Sequence, residues 1–207
     1  MTAADARRHL RTAMRERRHA VPVRERLDAA AALAAQLLPE LAGHAGHIAG
    51  YWAVGGELPL HAVQSALPAT LRWCLPLLHA DGHLRFAGWR PGQALDTNRF
   101  GIPEPSTGPR FGADALAVVL VPLLAFDANG QRLGQGGGWY DRSFAFRQAP
   151  DRNTGVASPS PGKMPYLIGI GYDWQRVERL DARLWDVPLD AVATPAAFHR
   201  FERHAKA

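Results

Sequence analysis

The hydrophobic and polar positions of the chain follow two regimes. Near the N-terminus the spacing is helical. Residues 3–19 read as a basic helix. Residues 24–42 read as a second helix, with Leu27, Ala30, Ala31, Ala34, Leu37, Leu38 and Leu41 on one stripe. Further on, the apolar residues gather into short runs. Residues 47–53, 71–78 and 84–89 read as strands, with a short helix over 60–67 and the Asp81-Gly82 turn between the last two strands. Ala115-Leu116-Ala117-Val118-Val119-Leu120-Val121-Pro122 is a continuous apolar run, the pattern of a parallel strand covered on both faces. A helix is predicted over about 138–147, a strand over 167–171 and a last strand over 191–193. Residues 90–112 are rich in Pro and Gly and read as irregular, and 149–165 read as an exposed flexible loop.

Strands alternating with helices predict an α/β fold, a three-layer α/β/α sandwich of Rossmann-like type with a mainly parallel sheet. A length of 207 residues suits one domain, residues 1–207, with a real core. No internal repeat or interdomain linker breaks it. The 47% apolar and 21% charged content is that of an ordinary globular protein. The single cysteine, Cys74, cannot form an internal disulfide and sits in an apolar run, so it reads as a buried small hydrophobe. The N-terminus is charged and lacks the apolar centre of a secretory signal. No apolar run approaches the ~20 residues that span a bilayer. A cytoplasmic location is expected.

Much of the formal charge of +5 lies between Arg7 and Arg26. A basic helix can be a nucleic-acid arm, a membrane-surface arm, a solvated face, or a carrier of a few cations to an anionic ligand. Arg7 and Arg11 stand i and i+4, on one face. Arg8, Arg15, Arg17 and Arg18 are assigned to solvent.

The candidate chemistry lies in Gly130-Gln131-Arg132-Leu133-Gly134-Gln135-Gly136-Gly137-Gly138-Trp139-Tyr140-Asp141-Arg142. Glycines let a ligand approach main-chain N–H groups, which together form an anion site. Arg132 adds a planar cation suited to phosphate oxygens. Asp141 is a hard oxygen ligand of the kind Mg²⁺ takes beside a nucleotide phosphate. A glycine-rich surface turn is the alternative. The run matches neither the G-x-x-x-x-G-K-[ST] phosphate loop nor G-x-G-x-x-G. It does follow a buried strand, and open α/β sheets bind ligands at the carboxyl ends of their strands.

These residues carry a resemblance. Val121-Pro122-Leu123-Leu124-Ala125-Phe126-Asp127, with the glycine run through Arg142, resembles the signature of the 5-formyltetrahydrofolate cyclo-ligase family. Arg7-Arg8-His9-Leu10-Arg11, Gly50-Tyr51-Trp52 through Gly56-Glu57-Leu58, Asn98 to Pro105, Gly169-Ile170-Gly171-Tyr172 and Trp185 to Asp190 are similar to its other segments, in order. The resemblance implies an ATP-dependent closure of 5-formyltetrahydrofolate to 5,10-methenyltetrahydrofolate, with release of ADP and phosphate. It implies ATP as co-substrate and Mg²⁺ as cofactor. ATP would be held by Arg7, Arg11, Arg132, Gly134, Gln135, Gly136, Gly137, Gly138, Trp139, Tyr140 and Asp141. Arg132 and Tyr140 would serve catalysis, Asp141 the metal, and Glu57, Trp52 and Tyr140 the folate. Arg7 stands where the family commonly has Lys, and Trp139 where it often has Tyr or Phe. No nucleic-acid or membrane partner is implied, and a monomer is expected. Two other classes compete: another ATP-binding α/β enzyme with a different acceptor, and a non-catalytic folate-binding protein. The histidine pairs His44/His47 and His79/His83 lack the partners of a metal site.

Overall fold

The computed structural model describes residues 2–148 and 164–202. In chain order these form α1 (Ala3–Ala20), α2 (Val23–Leu41), β1 (Gly46–Ala49), α3 (His61–Ser65), β2 (Leu71–Leu78), β3 (Leu84–Gly88), β4 (Leu95–Thr97), β5 (Pro103–Pro105), β6 (Arg110–Phe111), β7 (Leu116–Pro122), β8 (Ala125–Phe126), β9 (Arg132–Leu133), α4 (Trp139–Ser143), β10 (Tyr166–Ile170), β11 (Ala191–Ala193) and β12 (Phe198–Arg200). Most of the flexible loop expected at 149–165 lies outside the described residues.

One sheet of eight strands, ordered β12-β11-β10-β7-β1-β2-β3-β6, organises the chain. Its centre is parallel, while β12, β3 and β6 join antiparallel. Taken alone, the parallel strands run β2-β1-β7-β10-β11, a doubly wound order that reverses direction between β1 and β7. Ligands bind at the carboxyl ends of strands at such a reversal.

β7 shows why its apolar run is continuous. Val118 and Leu120 pack into the cluster under α2 and α3, whereas Val119 and Val121 pack into the cluster with Phe86 and Phe144 on the other face. All four are fully buried. At about 1.5–3 kcal/mol per buried aliphatic side chain, this strand alone supplies roughly 6–12 kcal/mol of gross apolar stabilisation, an upper bound.

α1 starts with a reciprocal cap in which the Asp5 amide donates to Thr2 Oγ1 at 3.2 Å and the Thr2 amide donates to Asp5. Its Leu10 and Met14 rest on the small cluster of Ala125, Leu133 and Leu180. α1 is thereby laid beside the β8–β9 hairpin. α2 turns Ala30, Leu33, Ala34, Leu37 and Leu41 to the core. Leu27 is half-exposed and Ala31 is exposed, so the buried stripe is rotated from the expected one toward Leu33.

Other departures are local. β1 stops at Ala49, short of the expected end, and the next residue, Gly50, lies so close under the Trp73 indole that no side chain fits there. The segment expected to be irregular contains the β4–β5 hairpin and β6. The helix expected over 138–147 is α4 followed by a 3₁₀ turn, Ala145–Gln148.

Candidate active site

A cavity of about 620 Å³ opens at the strand reversal. Pro122 from the end of β7, Tyr51, Trp52, Val54 and Glu57 from the chain after β1, and Pro76 and Leu78 from β2 line it. α1 contributes Arg7, Arg11, Arg15 and Arg18, and the glycine loop between β9 and α4 closes another wall. Six arginines and three carboxylates among its lining residues leave an excess of three positive charges. The field therefore favours a polyanion.

The glycine loop owes its shape to glycine at two positions. Gly136 has φ +103° and Gly138, which caps α4, has φ +67°, conformations that side chains other than glycine rarely adopt. Among the described residues, the N–H groups of Gly134 to Gly138 donate to no backbone carbonyl. The carbonyls are held instead: Arg11 Nε donates to Gly134 at 3.0 Å and Arg15 Nη2 to Gln135 at 2.8 Å. α1 thus anchors the loop through carbonyls and leaves its N–H groups for a ligand.

Arg132 Nη2 lies 2.6 Å from Asp141 Oδ1, with the arginine buried and the aspartate nearly so. The Val187 amide donates to the same Oδ1 at 3.1 Å. Among the described residues Asp141 Oδ2 accepts no hydrogen bond, which leaves it to a cation. Among the described residues Arg132 Nε is buried without a partner, as is Arg7 Nε. Arg7 Nη1 meets Asp186 Oδ2 at 3.0 Å and also donates to the carbonyl of Asp181. Burial, and then the charges of Arg7, Arg183 and Arg15, lower the pKa of Arg11. The site holds more positive charge than its own carboxylates offset.

On the opposite side, Glu57 is buried after the turn at Gly55 and Gly56. Its Oε1 meets Arg18 Nη1 at 3.3 Å and Gln135 Nε2 at 3.4 Å, and its Oε2 accepts from the Val54 amide at 3.1 Å. Burial raises its pKa, and Arg18 opposes the rise. Tyr140 stacks on Phe144 with ring centres 6.3 Å apart. Burial, and then Glu57, hold its phenol well above the ordinary value, so at neutral pH it is a donor. Trp52 stands at the rim, 38% exposed and edge-on to Trp89. Trp139 lies between the guanidinium groups of Arg142 and Arg99, at 5.2 and 5.5 Å from its ring centre.

The model of the 5-formyltetrahydrofolate cyclo-ligase family matches residues 3–195. The chain belongs to this family. That makes it an ATP-dependent ligase of folate one-carbon chemistry. It is 32% identical over 191 residues to the 5-formyltetrahydrofolate cyclo-ligase of Escherichia coli, covering 88% of this chain and 97% of that one. To the enzyme of the same name from Mycolicibacterium smegmatis it is 30% identical over 196 residues, with coverages of 90% and 92%. Among solved structures it resembles the 5,10-methenyltetrahydrofolate synthetase of Aquifex aeolicus, with a TM-score of 0.76, 25% identity and coverages of 97% and 95%. It shares the fold of the Mycoplasma pneumoniae synthetase, with a TM-score of 0.68, 22% identity and coverages of 91% and 98%. The cyclo-ligase α/β fold expected from the sequence is the one observed.

Every residue assigned from the sequence to ATP, metal or folate lines this one cavity. Two arginines assigned to solvent are misassigned. Arg18 is 3% exposed and paired with Glu57, and Arg15 holds Gln135 through two hydrogen bonds. Their signal was in the sequence. At 3.6 residues per turn, positions 7, 11, 15 and 18 fall within about 80° of one another on a helix. Arg8 does face solvent, against Asp5, and Arg17 lies over the Trp174 ring at 4.4 Å. Asn98, Phe100 and Ile102 from the β4–β5 turn, and Arg183, Trp185 and Asp186 from the loop before β11, complete the wall. Their lone side chains in irregular segments carry no periodic signal.

Among the described residues no helix is long and apolar enough to cross a membrane, and no cluster of three His, Cys, Asp or Glu side chains forms a metal cage.

Proposed function

We propose that this cavity binds MgATP and 5-formyltetrahydrofolate side by side and carries out the family's cyclisation there. The observation that carries the reading is the meeting of a cation-rich α1, a glycine loop with open N–H groups and a buried carboxylate around one opening. Arg7, Arg11 and Arg132, with the N–H groups of Gly134 to Gly138, hold the triphosphate. Gln135 and Trp139 belong to the same wall. Glu57 accepts hydrogen bonds from the N–H donors of the pterin-like ring, and Trp52 and Tyr140 flank it. Asp141 Oδ2 is the carboxylate oxygen that would hold a nucleotide-bound Mg²⁺, since no protein cage exists among the described residues. When bound, that ion neutralises charge on the phosphate oxygens.

The formyl oxygen of an amide-like N-formyl group is a poor leaving group. Transfer of the γ-phosphoryl group to that oxygen turns it into phosphate and releases ADP. N10 then attacks the formyl carbon, the C–O bond breaks, and the phosphate departs with the former formyl oxygen. Loss of the N10 proton leaves the 5,10-methenyl bridge. Positioning and charge stabilisation supply most of such a catalysis. Arg132 is placed for the oxygens of the transferring group. The Tyr140 hydroxyl, protonated at working pH, donates to charge that develops near it. Every residue used comes from one chain, so a monomer suffices. The reading needs no nucleic acid or membrane, and places the enzyme in the cytoplasm.

The test follows the near-ultraviolet absorbance of the methenyl product with purified protein, 5-formyltetrahydrofolate and MgATP. A rise that stops when ATP is omitted is expected. Bound MgATP without any rise refutes the acceptor.

A further inference from the structure

Arg18 is a long cationic side chain, 3% exposed, that among the described residues hydrogen-bonds to no residue assigned to the phosphates. It ties three segments together. Its Nε donates to the Gly55 carbonyl at 2.8 Å, and its Nη1 donates to the Leu123 carbonyl at 3.4 Å and to Glu57 Oε1 at 3.3 Å. The side chains of Arg18 and Glu57 are 3% and 7% exposed. The turn is shaped for this docking. Gly56 has φ +77°, and a methyl group there would collide with the backbone carbonyl of Arg18. Tyr172 closes the turn from the other side by donating to the Gly56 carbonyl at 3.1 Å.

A buried ion pair is a poor device for stability alone, because desolvation offsets much of the attraction and an apolar pair of similar volume would serve as well. What it does achieve is a carboxylate with a fixed direction and a fixed charge. We infer that Arg18 is the positioning residue for Glu57, docking the Gly55–Glu57 turn on α1 and holding the carboxylate charged and fixed at the cavity wall, where it accepts from the folate ring. The inference rests on the reading of Glu57 as the folate-binding carboxylate.

The titratable groups that line the cavity with Glu57 or touch its turn come from several elements. α1 brings Arg18, Arg15 and His19; the chain after β1 brings Tyr51; β9 brings Arg132; α4 brings Tyr140; the chain after β10 brings Tyr172. Burial raises all three phenols, so they stay neutral. Among the described residues Arg18 is the cation within ion-pair distance of Glu57. Burial alone pushes the Glu57 carboxyl toward its neutral form, and Arg18 restrains it. A neutral Glu57 would present one hydroxyl donor where the ring offers donors too.

The test uses the full chain with Arg18→Met, Arg18→Lys, Glu57→Gln and the double variant Arg18→Met/Glu57→Gln. KM values for 5-formyltetrahydrofolate and for ATP are measured from weakly acid to weakly alkaline pH. Circular dichroism reports folding. Arg18→Met is expected to raise the KM for the folate about tenfold or more near neutrality, with far less effect on the KM for ATP. The midpoint of the pH dependence of the folate KM should move up by roughly 1–3 pH units, since an adjacent opposite charge lowers a carboxyl pKa by about that much. Arg18→Lys should restore most of the profile. On the Glu57→Gln background the Arg18→Met effect should vanish. A folded Arg18→Met with an unshifted pH profile overturns the inference. So does a full Arg18→Met loss on top of Glu57→Gln, which decides the matter even where the single variant does not fold. If Glu57→Gln leaves the folate KM unchanged, the reading of Glu57 itself fails, whatever Arg18 does.

Discussion

Replacing Arg132 by Met separates the two tasks of that side chain. In the folded chain its Nη2 sits 2.6 Å from Asp141, its Nε has no partner among the described residues, and its guanidinium carbon lies 5.9 Å from the Tyr140 ring centre. Truncating one member of a fully buried pair costs about 3–5 kcal/mol. Asp141 keeps the Val187 amide and 17% of its side chain is exposed, so the loss here falls to roughly 2–3 kcal/mol once water screens the carboxylate. For a chain of this length that lowers Tm by about 4–12 °C. Circular dichroism at assay temperature should show the variant folded. The catalytic loss is larger. A preorganised donor to a charge-developing oxygen supplies about 10²–10³ in kcat. Continuous measurement of methenyl formation, with ATP and folate each varied, should show kcat and kcat/KM falling together, the mark of a contact made in the transition state. A kcat within about threefold of the parent, in a variant shown to be folded, would refute the assignment of Arg132 to the transferring group.

Three further outcomes follow from the geometry. Gly169→Ala on β10 drives a methyl group to within 2.6 Å of Leu189, 2.7 Å of Leu123 and 2.9 Å of Val192, so urea titration should show a loss of about 1–3 kcal/mol, and unchanged stability would contradict this packing. Cys74 is fully buried and burial pushes its thiol up to about 12, so a thiol reagent at mildly alkaline pH should label it only after unfolding; labelling of the native protein at the unfolded rate would count against the burial. Asp141→Asn should raise the Mg²⁺ concentration needed for half-maximal rate by tenfold or more while the folate KM holds, at about 1.4 kcal/mol per factor of ten; an unchanged Mg²⁺ requirement would remove Asp141 from the metal.

The parts of the fold that were legible in the sequence are those whose pattern is long or doubly buried. β2 and β11 fall on their expected residues, and α1 and α2 within a residue or so. β7 announces itself because both of its faces are covered. Short edge pieces are silent: β12 has three residues, and β5 is Pro-Glu-Pro, an edge composition that reads as loop. The rotation of α2 toward Leu33 reflects tertiary packing, since Leu27 and Leu33 are equally apolar and the sheet decides which is covered. In the site, the glycine loop, Arg132 and Asp141 are close in sequence and so were visible together. Glu57 and Arg18 are far apart in sequence, and the strand reversal brings them together. Charge counting along α1 treats Arg8, Arg15, Arg17 and Arg18 alike as solvated, whereas helical phase separates Arg18, which is buried, from Arg8, which is not.

In the proposed cyclisation the formyl oxygen itself receives the phosphoryl group in this cavity. The direct measurement uses 5-formyltetrahydrofolate labelled with ¹⁸O in the formyl group, turned over with MgATP, and mass analysis of the phosphate released. One ¹⁸O is expected in each phosphate formed alongside methenyl product. Phosphate that carries only solvent or ATP oxygen, with the label lost to water, would mean that ATP hydrolysis and ring closure are separate events, and would contradict it.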